Sequence, residues 1–373
     1  MVYRSTDFYT STMTTSSEGG PPPDPHRATG VDVARLAGVS KTAVSQVFSG
    51  TGRLSPETVR RVRAAAAELG YFPAHSGRSL RTGRSGLLSM VVPQAENPYY
   101  MEIFAGGREA ALERGYTLNL LAADDLDSLR RTVQLLGSGV ADGVVLTGEG
   151  EIGELADDIR GLRRRGVAVS VTQDRSPEPD VPAVRVDFER GARLAVRHLV
   201  GLGHRRIAHV GTRQLAPLRH GAAPETVGDG RFVGYLQALR EAGIEFDPAL
   251  VYTAAPSAAG GAAVAASLTA RPGPEPTAVF AFNDLVALGL LGGLAGMDVR
   301  VPGEISVVGF DGIDLAEYSA PSLTTVSHPR HEVGHRAVSL LCDRLDGGEL
   351  VLEREVTLAP SLAVRGSTAA PRR

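Results

Sequence analysis

The sequence predicts an α/β protein that carries a small, all-helical, basic unit ahead of a much larger body. Three observations lead there. Between Thr29 and Pro73 three short helical patterns follow one another with almost no connecting chain. From Gly86 onward short apolar runs of strand type alternate with helical segments, the pattern of parallel sheets with helices on both faces. Charge is also divided unevenly. Residues 26–86 hold ten Arg/Lys against three acids, so a chain of net charge −3 has a head at +7 and a remainder at −10. A basic head on an acidic body fits a head that meets a polyanion while the body does not.

At 373 residues the chain exceeds the reach of one hydrophobic core, and its 43% hydrophobic and 22% charged content is ordinary for a globular protein. No apolar run approaches the roughly 18–20 residues of a membrane helix. Residues 1–27, rich in Ser, Thr, Pro and Gly, lack the basic start and apolar stretch of a secretory signal and are expected to form a disordered tail, which places the protein in the cytoplasm. Cys342 is the sole cysteine, which excludes an internal disulfide and any site built on several cysteines.

The head, expected over 28–73, reads as a helix-turn-helix. Thr29 and Asp32 make a capping-box-like start, and Val33, Leu36 and Ala37 form an apolar stripe. Gly38 suits a sharp turn, and Ser40 caps a second helix that buries Ala43, Val44 and Val47. Ser55, Pro56 and Glu57 open a third helix, running through Val59, Val62, Ala66 and Leu69 to Gly70. In such units the second helix enters the major groove of DNA. Its outward residues here are Lys41, Thr42, Ser45 and Gln46, all hydrogen-bond donors. The following segment, 74–86, is too polar for a core, and its glycines weaken it as a helix. It reads as a linker.

In the body, "GLLSMVVPQ", "YTLNLLAA", "DGVVLTG", "VAVSVTQ", "RIAHVGT", "TAVFAFND" and "ISVVGFDG" are the expected strands. Ligands of open α/β sheets gather beyond the C-terminal strand ends, so "PQAENPYY", "ND" and "GFDG" are candidate ligand positions. Each of their polar residues can equally serve as a helix cap. No catalytic arrangement stands out. The "GTGR" at Gly50–Arg53 has neither the length nor the Lys of a phosphate loop, and no G-x-S-x-G element is present. His204, His209 and His220 lack metal-ligand spacing, and the His331/His335 pair, though four residues apart, is read as lacking the acid of an H-E-x-x-H site and is expected to bind no metal. No cofactor is expected, and the chain reads as a non-enzyme.

The stretch "DVARLAGVSKTAVSQVFSG…LSPETVRRVRAAAAELGYFP" closely resembles the DNA-binding head of the lac and galactose repressor family. The resemblance implies base reading by Lys41, Thr42 and Gln46. It puts Ser40, Ser45, Ser49, Arg53, Ser55 and Tyr71 at positions that approach phosphates or support the helix. Gln46 replaces the Arg usual at its position, and Gln suits adenine where Arg suits guanine. The resemblance also makes 74–86 a hinge that orders on operator DNA and wedges Leu80 into the minor groove.

"HLVGLGHRRIAHVG", "RFVGYLQALREAGI", "FAFNDLVALGLL", "VPGEISVVGFDG" and "PSLTTVSHPRHEVG" extend the resemblance over the body. It implies a two-lobed effector domain over 87–368, similar to periplasmic binding proteins. The first lobe would take 87–186 and 329–350, the second 187–327 and 351–368, with 369–373 a tail. Asn97, Tyr99, Tyr100, Thr147, Gln173, Arg231, Asn283, Asp311 and His328 would hold a small effector, a sugar first. Alternatives are a purine- or nucleoside-responsive regulator, one answering to a partner protein, or a solute-binding protein. The expected partners are an operator duplex, the effector and a second copy of the chain in a homodimer, with no membrane.

Overall fold

The computed structural model describes residues 28–49, 52–71, 84–148, 152–173, 176–212, 215, 218, 223, 229–270, 275–347 and 355–372. The expected 1–27 tail, Leu80 and most of 214–229 lie outside them. The chain separates into two compact units, Met1–Gly83 and Arg84–Arg373.

The first unit is a trio of helices, α1 (Gly30–Ala37), α2 (Lys41–Ser49) and α3 (Pro56–Glu68). Thr29 and Asp32 form the capping box, with the Asp32 carboxylate accepting from the Thr29 amide at 2.9 Å. Gly38 turns the chain out of α1 at φ 62°, a conformation that costs glycine little. Val33, Ala34, Ala37, Val44, Val47, Val62, Ala65 and Ala66 form the core. Leu36 departs from the expected stripe and is exposed. At about 100° per residue it lies well to one side of the face shared by Val33, Ala34 and Ala37. Ala43 is only half-buried.

The second unit is built on two six-stranded sheets, each with cores on both faces. The first contains β1 (Leu87–Val92), β2 (Thr117–Ala122), β3 (Gly143–Thr147), β4 (Ala168–Thr172), β5 (Ala183–Val186) and β11 (Glu355–Leu358), in the order β11-β5-β4-β3-β1-β2 and parallel throughout. The second contains β6 (Ile207–Gly211), β7 (Val251–Thr253), β8 (Ala278–Ala281), β9 (Ser306–Asp311), β10 (Thr324–Ser327) and β12 (Ser361–Ala363), in the order β12-β10-β9-β8-β6-β7. Among the described residues its one antiparallel pairing is β10 with the edge strand β12. All seven apolar runs named from the sequence are strands.

The helices of this unit are α4 (Pro98–Glu113), α5 (Leu126–Leu135), α6 (Ala156–Arg164), α7 (Phe188–Gly201), α8 (Gly230–Glu241), α9 (Ala258–Thr269), α10 (Asp284–Ala295), α11 (Leu315–Tyr318) and α12 (Arg330–Leu345). Among the described residues the chain changes lobe after β5, after β10 and between β11 and β12. Two expected boundaries need correction. Residues 351–368 do not belong wholly to the second lobe, because Glu355–Leu358 adds to the first sheet beside β5. Residues 369–372 are no free tail: the Ala369 amide donates to the Ser306 hydroxyl at 3.1 Å, and its carbonyl lies 2.8 Å from His204 Nε2. In the first lobe, α4 and α12 pack backbone to backbone. A Cβ on Gly334 would press into the Ile103 carbonyl, and one on Gly106 into that of His331.

Candidate functional site

On the head, Ser40 Oγ accepts from the Ala43 amide at 3.1 Å and so starts α2. That start leaves Lys41, Thr42 and Ser45 exposed together on the first turns. Gln46 is half-buried, its side chain lying against Gly52, where a Cβ would fall 2.9 Å from the Gln46 Cδ. Arg53 is exposed, and Ser55 accepts from the Thr58 amide at 3.2 Å as the cap of α3. Tyr71 packs edge-on to Phe48 with ring centroids 5.8 Å apart, so it supports the fold of the head. Ser49 ends α2, and its side chain, like Leu80, is outside the described residues. Arg60, Arg61 and Arg63 add exposed positive charge on α3.

In the body a cleft of about 1160 Å³ is lined from both lobes. Its walls are mostly the segments just past the C-terminal strand ends: Asn97, Tyr99 and Tyr100 after β1, Gln173 after β4, Asp187 and Phe188 after β5, Asn283 after β8, and Asp311 closing β9. Parallel strands aim their C-terminal ends the same way, which is why one cleft collects residues so far apart in sequence. Two of the expected wall residues double as caps. Asn97 Oδ1 accepts from the Tyr99 amide at 3.0 Å, and Asn283 Oδ1 accepts from the Val286 amide at 2.9 Å. Each keeps its NH₂ group for other partners.

Arg231 is buried at the start of α8. Its guanidinium lies 4.9 Å from the Phe188 ring centroid and 5.5 and 5.6 Å from those of Phe310 and Phe282, with Asp229 at 3.7 Å. The aromatic faces and the carboxylate hold a flat cation in one orientation. Gln173 is 5% exposed, and neither polar atom of its amide has a hydrogen-bond partner among the described residues. Its backbone takes φ 71°, and Asp311 takes φ 114°. Both are conformations that side-chain-bearing residues seldom adopt, and both sit on the cleft wall.

Two expected cleft residues are not on the wall. Thr147 is buried behind it and accepts a hydrogen bond from the Thr172 hydroxyl at 2.9 Å, since its side chain turns toward the neighbouring strand. His328 sits behind Tyr99, with its Nε2 3.1 Å from the Tyr99 hydroxyl. Burial, followed by the charges of Arg330 and Arg231, pushes its pKa down to about 3, so the imidazole is neutral. Its role is to support Tyr99. Among the wall residues not anticipated are Asp187, Phe188, Glu189, Asp229 and Phe282. The first three start α7, where the chain crosses between lobes, and Asp229 stands just before the R-x-x-G run.

One expectation about the histidine pair needs correction: the acid is present, because Glu332 follows His331 and residues 331–335 spell H-E-x-x-H, a zinc-protease pattern. Its histidines face another helix: His331 Nε2 is 3.0 Å from Glu109 and His335 Nε2 is 3.4 Å from Glu113, both on α4, while Glu332 pairs with Arg336 at 2.7 Å. Among the described residues no group of three His, Cys, Asp or Glu side chains is placed to hold a metal ion, and no helix is long and apolar enough to cross a membrane.

Residues 31–74 match the pattern of bacterial regulatory proteins of the lacI family, and residues 196–368 match a periplasmic binding protein-like domain. The HTH-type transcriptional repressor CytR of Escherichia coli K12 is 32% identical over 350 residues, covering 92% of this chain and 97% of CytR. Among solved structures, the transcriptional regulator CelR in its cellobiose complex is 31% identical with a TM-score of 0.66, covering 91% of this chain and all of that one. The lac repressor dimer bound to operator and the anti-inducer ONPF is 25% identical with a TM-score of 0.73, covering 92% of this chain and 99% of that one. With a helix-turn-helix head and a cleft between two parallel-sheet lobes, the chain belongs to the lacI family of bacterial regulatory proteins, and is a DNA-binding transcriptional regulator, not an enzyme.

Proposed function

We propose that the protein is a cytoplasmic repressor, active as a homodimer, whose operator affinity is set by a small polyhydroxylated metabolite, a sugar, held in the cleft. The observation that carries this reading is the composition of the wall. Tyr99, Tyr100, Phe188 and Phe282 offer faces for the apolar side of a sugar ring, while Arg231, Asn283, Asp311 and Gln173 offer donors and acceptors for hydroxyls. A few placed polar groups among aromatic surfaces are what orient such ligands. The orphaned amide of Gln173 adds support, because a buried donor and acceptor without partners cost about 1–3 kcal/mol each and a hydroxylated ligand satisfies both. CelR, solved with cellobiose, supports the same ligand class. A ligand that prefers one arrangement of the lobes shifts the balance between arrangements, and a coupling of about 1–3 kcal/mol is enough to regulate binding at a second site.

The test is a screen of mono- and disaccharides, with nucleosides and nucleobases as a second arm, for a rise in melting temperature. Calorimetry on the parent, Arg231→Ala and Asp311→Ala follows. The reading expects a saccharide hit whose binding is lost or strongly weakened in both variants. Undiminished binding in both would show that the ligand lies elsewhere. A hit confined to nucleosides would replace the sugar assignment.

A further inference from the structure

Arg330, the first residue of α12, belongs to the first lobe, yet its guanidinium is engaged in both lobes. The side chain is 7% exposed. Nε and Nη2 donate to Glu102 on α4 at 2.6 and 2.5 Å. Nη1 donates to the backbone carbonyl of Asp311 at 2.8 Å and also to that of Gly312, and Nη2 lies 3.5 Å from the Asp314 carboxylate. Those acceptors stand at the end of β9, in the second lobe.

The segment thus gripped is bound on every side. The Asp311 side chain lines the cleft. The Ile313 amide donates to Asp284 at 2.8 Å, and the other oxygen of Asp284 accepts from the Thr325 hydroxyl at 2.5 Å. The Ile313 side chain is buried in the first-lobe core, and Leu285 and Leu288 of α10 pack against that same core. Three consecutive residues therefore face the ligand cleft, the buried arginine and the opposite lobe.

We propose that Asp311–Ile313 is a latch between the lobes and that Arg330 is its fastener, a positioning residue that holds the Asp311 backbone in its φ 114° conformation and ties it to α4. Separating the lobes requires breaking the Arg330–carbonyl bonds and withdrawing Ile313 from an apolar core, steps that strip a buried guanidinium of acceptors and expose apolar surface together. The latch therefore favours two discrete arrangements, fastened and released, over a continuum. A ligand on Asp311 acts on the same segment that Arg330 ties to α4. That last link rests on the reading of the cleft as the effector site.

Spin labels on Asp127→Cys and Ala259→Cys, exposed positions near the starts of α5 and α9, report the separation of the lobes in the full chain. Cys342 is buried and takes no label. Neither ligand nor DNA is added, so failure of the latch is distinguishable from failure of the effector reading. The latch expects a narrow distance distribution in the parent and, in Arg330→Met, a broad one shifted to longer separations. Arg330→Lys keeps a charge for Glu102 with a shorter reach and is expected between the two. A Met variant that only melts earlier, with a distance distribution superimposed on the parent's, would overturn the proposal and leave Arg330 a structural ion pair. If the Met variant does not fold, Glu102→Gln decides, because that carboxylate is partly exposed. Broadening there upholds the latch, and superposition overturns it.

Discussion

Replacing His328 with Phe should reverse the order of stability between neutral and mildly acid pH. The imidazole lies edge-on to Tyr99 at 5.4 Å between ring centroids, with Phe188 and Phe310 at 6.2 and 6.1 Å, so another aromatic ring suits its surroundings. At pH 7 the variant loses the bond between Nε2 and the Tyr99 hydroxyl, a cost of about 1 kcal/mol. The unfolded histidine titrates near 6.5, whereas burial and the nearby Arg330 and Arg231 hold the folded one near 3. Between those values only the unfolded chain binds the proton. The contribution is therefore whole above pH 6.5 and is lost as pH falls toward 3, at about 1.4 kcal/mol per unit. By pH 5 the parent has lost about 2 kcal/mol that the Phe variant does not lose, which makes the variant the more stable by about 1 kcal/mol. His209, enclosed by Phe232, Tyr235 and Phe280 and held near 4, loses stability in the same direction in both proteins and cancels in the comparison. Urea unfolding of parent and variant at pH 7, 6 and 5, followed by circular dichroism, reads the difference. A gap that stays constant with pH would mean that the folded imidazole takes up protons freely and is not sealed behind Tyr99.

Two further substitutions test other parts of the chain. Gly334→Ala should destabilise the first lobe by about 1–3 kcal/mol, because the new methyl group meets the Ile103 carbonyl and α4 must move away; an unchanged urea midpoint would contradict the close approach of the two helices. Gln46→Ala should relax preference at one operator position by about 1–3 kcal/mol in binding-site selection from random duplexes, and an unaltered selected sequence would remove Gln46 from base reading.

Much of the head was legible because its determinants are local. Thr29 with Asp32, Ser40 with Ala43 and Ser55 with Thr58 are all contacts three residues apart, within the span that sequence spacing describes. The exception, Leu36, shows the limit: an apolar residue one step off the buried face looks the same in a composition count. Strands such as β1, β3 and β9 announced themselves as apolar runs. β7 and β12 are three residues long, and β10 is "TTVS", whose two threonine hydroxyls are buried with hydrogen-bond partners brought opposite by the fold, Thr368 for Thr324 and Asp284 for Thr325.

The sequence by itself determined the class of the protein: a basic helix-turn-helix, an alternating α/β body, and polar residues at several strand ends where a ligand can collect. Tertiary structure alone decided which of those residues share a wall. Thr147 and His328 carry the right chemistry at suggestive positions, yet each turns to a partner 25 or 229 residues away and leaves the cleft. Phe188, Asp229 and Phe282 had no signal of their own and became the surroundings of Arg231. Arg330 reads in sequence as an ordinary charge after a proline, and becomes a bridge between lobes because α4 and the end of β9 meet around it. Helix caps and strand periods are short-range properties of the chain. Burial and partnership of a side chain depend on segments hundreds of residues apart, and only the packed molecule brings those together.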